Sequence, residues 1–389
     1  MMDNENLKTI IKDLSNNVMF SLSLSSKELF HSNLWAWLGR KYPKMFTEIF
    51  LDEKVELDEN SIILREYKNF DLYVETKNSI YVFENKCKSM PNKSQLKEYD
   101  KKLAEIKDEK KKEIETKTKL ISYFEPIGTY VWTDDDTPPR KHDWSIITYN
   151  KLYENFTESF KKNEKIIENN DKIIIEEYIK CLKLLNDLHN SIELNDKTTI
   201  EKYYSLLDNN EIKELSGKIN FEKTLERILV NKLTHYVLDK YEKKDEIDAI
   251  NIDCGRDHVV YSDILFYFEG AWADEDKRPP LNAIGVSLWG KNFRYYANVN
   301  KSKKLSNSNK DNLSVNDWKN AGHKYLSTTY ENFWENGKEG GYNCKDDMWL
   351  YKKEDISKLS ISNVRKKTQY WLNEAYKYWE KKSLTSEKT

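Results

Sequence analysis

Phe70-Asp71-Leu72-Tyr73-Val74-Glu75 and Ile80-Tyr81-Val82-Phe83-Glu84-Asn85-Lys86, joined by Thr76-Lys77-Asn78-Ser79, form the stretch on which the fold turns. Phe70, Leu72 and Val74 alternate with Asp71, Tyr73 and Glu75, the period of a strand, and the polar tetrapeptide between the runs reads as a hairpin turn. With the turn at Lys77-Asn78, Asp71 falls directly opposite Glu84, where Cβ atoms lie roughly 4.5–5.5 Å apart on one face. Glu84 and Lys86 are two residues apart and project from that same face. Shifting the turn by one residue moves partners by two and leaves all three on one side. Ile80-Tyr81-Val82-Phe83 is apolar on both faces, as in a sheet covered on both sides, and acids on such a strand are expensive unless paired or metal-bound.

Two opposed carboxylates can share one hard divalent cation, at about 2.0–2.1 Å per oxygen for Mg²⁺. A cation so held polarises a phosphodiester, lowers the pKa of a bound water and neutralises developing charge. Lys86 beside it can orient the water or stabilise the transition state. The bland alternative is a solvated polar face on an edge hairpin. Glu-x-Lys itself carries little information, because Glu66-Tyr67-Lys68, Glu105-Ile106-Lys107 and Glu211-Ile212-Lys213 match it equally well.

Outward from the hairpin, residues 5–24 read as one helix, and a second begins at Ser25, carries Leu29, Phe30, Leu34, Trp35, Trp37 and Leu38, and stops near Gly39. Residues 93–118 read as a helix with Leu96, Tyr99, Leu103 and Ile106 on one stripe. Its mixed-charge distal part, 107–119, is a solvated face. Short strands are expected at 120–124, 130–133 and 145–148, a loop at 134–143 around Pro138-Pro139, and helices at 150–162 and 172–188. The Asn- and Asp-rich stretch 190–210 reads as an exposed boundary, dividing the chain into 1–190 and 191–389. Beyond it lie a helix at 219–242, strands at 258–268 and 282–299 with a turn near Gly290-Lys291-Asn292, a loop at 301–316 and a closing helix at 360–382.

The chain of 389 residues holds 11 Trp, 25 Tyr and 14 Phe, which excludes a disordered chain despite 33% charged residues. With 11 Gly and 7 Pro, both well under usual values of about 7% and 5%, long helices are favoured over linkers. Net charge is −2, from 64 Lys+Arg against 66 Asp+Glu, so nucleic-acid binding has to use a local basic patch. No apolar run of about 18 residues predicts a membrane span, and Met1-Met2-Asp3-Asn4-Glu5 lacks the basic start of a signal peptide. Cys87, Cys181, Cys254 and Cys344 are dispersed, which argues against structural zinc or a disulfide framework and for a cytoplasmic protein with free thiols.

Together, Glu28-Leu29-Phe30-His31-Ser32 with Leu34-Trp35-Ala36-Trp37-Leu38, then Asp71, then Glu84-Asn85-Lys86, then Gln95-Leu96-Lys97-Glu98-Tyr99 resemble the ordered motifs of the PD-(D/E)XK nuclease superfamily. The likeness is to its stand-alone bacterial branch with a Glu-x-x-His-Ser helix, over roughly residues 26–160. Phe70 stands where the name-giving Pro would be. The resemblance implies an α/β fold with a restriction-endonuclease-like central mixed sheet flanked by helices, here followed by an α+β C-terminal domain. It implies that Asp71, Glu84 and the Asn85 carbonyl bind Mg²⁺ or Mn²⁺, and that Lys86 is the catalytic lysine. Gln95 and Tyr99 would approach the metal site and the nucleic-acid backbone, with Glu28 and His31 as further site residues.

The flanking residues also have ordinary readings. Tyr99 belongs to the stripe with Leu96 and Leu103, Glu28 fits a capping box with Ser25, and a lone His31 is more often a packed core histidine than a ligand. In the C-terminal half Asp253, Asp257, His258 and Asp263 are the clustered polar residues, read as loop and strand-start positions. Trp349, Tyr351, Tyr370, Trp371, Tyr376 and Trp379 are read as core rather than base-stacking residues. The expected function is metal-dependent hydrolysis of nucleic acid, DNA favoured over RNA, in a bacterial defence or mobile-element setting, with no membrane partner and room for a homo-oligomer. The alternatives are a catalytically silent binding or regulatory module on the same fold, and an RNA-directed toxin nuclease.

Overall fold

A computed structural model describes residues 4–26, 29–51, 55–89, 93–110, 114–124, 131–134, 137–141, 144–254, 259–268, 281–300, 315–329, 334, 338–343 and 347–386. The chain is mixed α/β and divides into two compact units. Unit 1 comprises 1–127, 143–193 and 206–228, and unit 2 comprises 128–142, 194–205 and 229–389. The units therefore interleave along the sequence, unlike a single cut at 190. Residues 200–208 are not an exposed linker but a helix with Ile200, Tyr203, Tyr204 and Leu206 buried.

Unit 1 opens with helices α1 (Asn4–Asn16), α2 (Val18–Ser26), α3 (Leu29–Lys41) and α4 (Pro43–Phe50). The single helix expected over 5–24 is broken at Asn17. That side chain is buried, accepts from the Phe20 backbone N–H at 2.9 Å to start α2, and donates to the Glu177 carbonyl and carboxylate. Gly39 does not end α3. A Cβ there would meet Ile63 Cδ1 at 2.7 Å, so the glycine lets the helix approach the sheet closely. Pro43 at the first turn starts α4, where its missing N–H is no loss.

The sheet of unit 1 has order β1-β2-β3-β4-β7, with β1 (Ile62–Arg65), β2 (Leu72–Glu75), β3 (Ser79–Lys86), β4 (Glu115–Ser122) and β7 (Ser145–Thr148). β1–β2 and β2–β3 pair antiparallel, whereas β3–β4 and β4–β7 pair parallel, making the sheet mixed. All eight residues of β3 are buried, which places the doubly apolar strand at the centre. Helix α5 (Lys93–Lys110) connects β3 to β4. The helix expected over 93–118 therefore stops eight residues early. Glu115-Thr116-Lys117-Thr118 instead extends β4, pairing alongside Ser79–Val82.

Helix α5 covers the sheet face carrying Glu84 and Lys86. The opposite face meets α3, α4 and α6 (Tyr149–Asn163), with α7 (Asn169–Ser191) packed against α6. Phe83 lies 6.3 Å from Phe46 and 5.9 Å from Phe50, ring to ring. α9 (Asn210–Lys218) and the first part of α10 (Glu222–Leu238) complete unit 1.

Unit 2 contains a two-stranded ribbon, β5 (Val131–Asp134) and β6 (Thr137–Lys141), so part of the loop expected over 134–143 is a strand. It also contains most of α8 (Ile200–Asp208) and a six-stranded antiparallel sheet of order β12-β13-β11-β10-β9-β8. These strands are β8 (Ala249–Cys254), β9 (Val260–Tyr267), β10 (Leu281–Trp289), β11 (Asn292–Asn300), β12 (Lys338–Asn343) and β13 (Asp347–Asp355), with helices α11 (Val315–Thr329) and α12 (Ile361–Ser386). The β10–β11 hairpin turns at Gly290-Lys291, where Gly290 takes φ +56°, a value that favours glycine. α12 seats Trp371 on Tyr295 at 4.6 Å and Tyr376 on Phe266 at 5.8 Å, and Trp379 Nε1 donates to the Tyr267 carbonyl. Trp349 stacks on Tyr296. These aromatics pack the sheet, while Tyr370 is exposed. Asp263 is buried on β9. Asp257, His258 and most of 301–316 lie outside the described residues.

Candidate active site

Leu72 pairs with Phe83, Tyr73 with Val82, Val74 with Tyr81 and Glu75 with Ile80. One step further along this register puts Asp71, just ahead of β2, opposite Glu84. The juxtaposition is direct: the Asn85 backbone N–H donates to Asp71 Oδ2 at 2.7 Å. Amide and carbonyl of one residue in an antiparallel pair face the same neighbour. The Asn85 carbonyl therefore also faces the Asp71 side, while the Lys86 carbonyl faces β4 and accepts from Tyr123 N–H at 2.9 Å.

On the same face Lys86 Nζ lies 2.6 Å from Glu84 Oε1, with only 8% and 2% of the two side chains exposed. This is a buried ion pair, not the solvated pair of an edge hairpin. Lys86 Nζ also donates to Gln95 Oε1 at 3.0 Å, Gln95 Nε2 donates to Tyr99 Oη at 2.7 Å, and Tyr99 Oη donates to the Asn69 carbonyl at 2.7 Å. Because an ammonium only donates, the Gln95 oxygen must face Lys86, leaving its NH₂ for Tyr99. The i, i+4 spacing on α5 is what lets both side chains reach down to one strand.

Tyr99 answers to both of its readings. Its ring is buried 5.0 Å from Phe70, within the apolar stripe, and its hydroxyl ends the polar chain. Burial pushes the phenol pKa up, and the Glu84 and Asp71 carboxylates push it further, so both acids lie within electrostatic reach of one hydroxyl. The carbonyl it grips belongs to a turn with Glu66, Lys68 and Asn69 at φ of 51°, 51° and 73°. Left-handed backbone at such residues costs on the order of 1–3 kcal/mol each and persists only where the surroundings enforce it. Tyr99 thus braces the strained approach that delivers Asp71.

On the other face of β3, Asn85 Oδ1 accepts from Tyr149 Oη at 3.0 Å. His31 sits deeper in that layer, with Nδ1 2.9 Å from Tyr178 Oη, which also accepts from Trp35 Nε1. Burial, with a smaller contribution from Lys88, lowers the His31 pKa to about 3, so the ring is neutral. His31 is a packed, hydrogen-bonded core histidine, and its ring lies 5.7 Å from that of Tyr149. Glu28 lies outside the described residues.

Asp71, Glu84, Lys86, Gln95 and Tyr99 therefore converge, and His31 stands behind the strand. Three participants were not legible in the sequence. Asn69 acts through its backbone, and Arg227 and Thr224 donate to the Lys88 carbonyl at 2.8 and 3.4 Å, tying down the chain just past Lys86. No local spacing links residues so far apart.

Among the described residues no group of three or more His, Cys, Asp or Glu side chains is placed to hold a metal, and no helix is long and apolar enough to cross a membrane. Two carboxylates and a backbone carbonyl lie below that threshold, yet they are all hard oxygen donors. No family model, no curated protein and no solved structure matches the chain.

Proposed function

We propose that unit 1 is a metal-dependent nuclease of restriction-endonuclease-like fold that hydrolyses phosphodiester bonds of nucleic acid. The observation that carries this reading is the convergence of Asp71 with the buried Glu84–Lys86 pair at the end of β3, locked by Gln95 and Tyr99. Asp71, Glu84 and the Asn85 carbonyl suit Mg²⁺ or Mn²⁺, which favour oxygen ligands over the nitrogen and sulfur donors that this site lacks. When bound, such an ion supplies Lewis-acid polarisation of the phosphoryl oxygen and a water of lowered pKa.

The chain's own residues divide the remaining work. Asp71 and Glu84 would hold the cation. Lys86, anchored by Glu84 and Gln95, would present its ammonium to the attacking water or to charge developing on the phosphate. Gln95 orients Lys86, and Tyr99 orients Gln95 while bracing the turn before Asp71. So small a protein donor set leaves room for substrate phosphate and water as further ligands, the usual arrangement for Mg²⁺. Metal affinity should therefore be weak alone and rise with a phosphodiester present. The test is cleavage of a panel of labelled single- and double-stranded DNA and RNA with Mg²⁺, Mn²⁺ or EDTA. Metal-dependent products from at least one substrate support the proposal, and none from any substrate opposes it.

A further inference from the structure

Asn85 stands between Glu84 and Lys86 on β3, and its side chain leaves by the opposite face of the sheet. Its backbone serves the site twice. The N–H donates to Asp71 Oδ2 at 2.7 Å, and the carbonyl, which faces the same neighbour, is an oxygen donor for the cation. The torsions of this one residue therefore set both the Asp71 carboxylate and the third oxygen. Asn85 is 0% exposed. A buried side chain tied at its tip resists rotation of the peptide groups on either side, so whatever holds the Asn85 amide also holds the backbone that meets Asp71.

Tyr149, the first residue of α6, holds that amide. Its hydroxyl donates to Asn85 Oδ1 at 3.0 Å and lies within hydrogen-bond reach of Cys87, the next residue on the same face. One hydroxyl thus spans the back-face positions that bracket Lys86. Tyr149 is itself fixed. It follows directly on Thr148, which pairs β7 to Ser122 of β4, and its carbonyl accepts from Asn186 Nδ2 at 3.2 Å. Its ring is buried, packed edge-on against His31 at 5.7 Å and against Tyr123 at 5.4 Å. Burial pushes the phenol pKa well above the ordinary 10, so the hydroxyl keeps the proton that it donates to Asn85.

We propose that Tyr149 is a positioning residue for the metal site: through the Asn85 side chain it sets the backbone that both hydrogen-bonds Asp71 and offers its carbonyl to the cation. Tyr149 touches neither ion nor substrate and acts from behind the sheet. The inference rests on the nuclease reading, which supplies the cation. Hydrogen bonds that orient metal ligands from behind are worth about 10–100-fold in metal affinity.

The test is Mn²⁺ binding without nucleic acid, read from the paramagnetic resonance signal of the free ion. The proteins are wild type, Tyr149→Phe, Asn85→Ala, the double variant and Tyr42→Phe. Tyr149→Phe keeps the ring and removes only the hydroxyl, and should weaken binding by about 10-fold or more. Asn85→Ala removes the acceptor instead and should weaken binding at least as much, so the comparison stands even where Tyr149→Phe folds poorly. The double variant should bind no more weakly than Asn85→Ala, because the hydroxyl then has no amide to orient. Tyr42 is the control: its buried hydroxyl donates to Asp171 Oδ2 at 2.6 Å and accepts from the Glu168 N–H. Tyr42→Phe should lower thermal stability and leave Mn²⁺ affinity as in wild type, which separates positioning from general loosening. Wild type that binds Mn²⁺ no better than Tyr149→Phe and Asn85→Ala overturns the proposal alone. An equal loss in Tyr42→Phe, or losses that multiply in the double variant, does the same. A wild type that takes up no Mn²⁺ overturns the metal reading, and the proposal with it.

Discussion

Replacing Lys86 by methionine isolates the ion pair at the heart of the site. The stem is nearly preserved and only the charge is lost. Glu84 Oε1 loses a cation at 2.6 Å, with the carboxylate 2% exposed, and Gln95 loses its donor. Removing one partner of a buried pair strands the other charge and costs about 3–5 kcal/mol. For a unit of roughly 200 residues each kcal/mol moves Tm by about 2–4 °C, so a fall of about 6–20 °C is expected in EDTA. Lys68→Met is the matched control. Lys68 also sits in a Glu-x-Lys, but its contact is Glu109 at 3.3 Å, with 29% and 65% of those side chains exposed, so its loss should move stability by less than about 1 kcal/mol. Adding Glu84→Gln to Lys86→Met should recover much of the deficit, because it removes the stranded charge. Saturating Mg²⁺ should partly rescue the single variant by supplying another cation. Thermal unfolding of the four proteins, with and without Mg²⁺, reads all of this. Lys86→Met no less stable than Lys68→Met, with no recovery in the double variant, would refute a buried pair at the end of β3.

Further expectations follow from neighbouring groups. Calorimetric titration with Mn²⁺ should show binding abolished by Glu84→Gln and weakened by Asp71→Asn, and tighter binding in wild type when an uncleavable phosphodiester is present; equal affinity in wild type and Glu84→Gln would remove the ligand assignment. Ca²⁺ should bind and support little turnover, as the superfamily resemblance implies, which a cleavage assay in each ion checks. Tyr99→Phe removes the hydroxyl between Gln95 and the Asn69 carbonyl, so single-turnover cleavage should slow while metal affinity changes little; an unchanged rate would reduce Tyr99 to its place in the apolar stripe. His31 is held at about 3 when folded and near 6.5 when unfolded. Its contribution to stability is complete above pH 6.5 and is lost at up to roughly 1.4 kcal/mol per unit as pH falls toward 3. Chemical denaturation of His31→Gln should therefore show a shallower acid limb than wild type, and an identical limb would mean the ring is not buried neutral.

The hairpin was legible because its first run alternates with period two, its second is continuously apolar, and a two-residue turn between them leaves little freedom of register. The observed pairing of Leu72 with Phe83 and its successors is the expected one. β3 was legible as a central strand because Ile80-Tyr81-Val82-Phe83 leaves no polar face. Local patterning misled where distant contacts decide the local structure. Asn17 breaks a helix because its amide finds Glu177, and Gly39 marks a close approach to Ile63 rather than a helix end. Charged residues at 115–118 read as a solvated helix end, yet they form the start of β4 because backbone pairing with β3 outweighs their helical propensity. Inside the stretch expected to be exposed at 190–210, scattered Asn and Asp hid the apolar residues with which α8 packs. Within the site, side chains on β3 and α5 could be inferred from spacing. The Asn69 carbonyl and the Arg227 contact with Lys88 depend on backbone conformation and tertiary packing, which spacing does not encode.

The most direct test of the central claim is single-turnover cleavage, with Mg²⁺, of whichever nucleic acid the panel identifies, by wild type, Glu84→Gln, Lys86→Met and Lys68→Met. Lys86→Met should lose roughly 10²-fold or more in rate, the scale of one electrostatic stabiliser of the transition state. Glu84→Gln should fall at least as far, and Lys68→Met should cleave as wild type. Normal cleavage by Lys86→Met or Glu84→Gln, or equal damage from Lys68→Met, would contradict the assignment of this site.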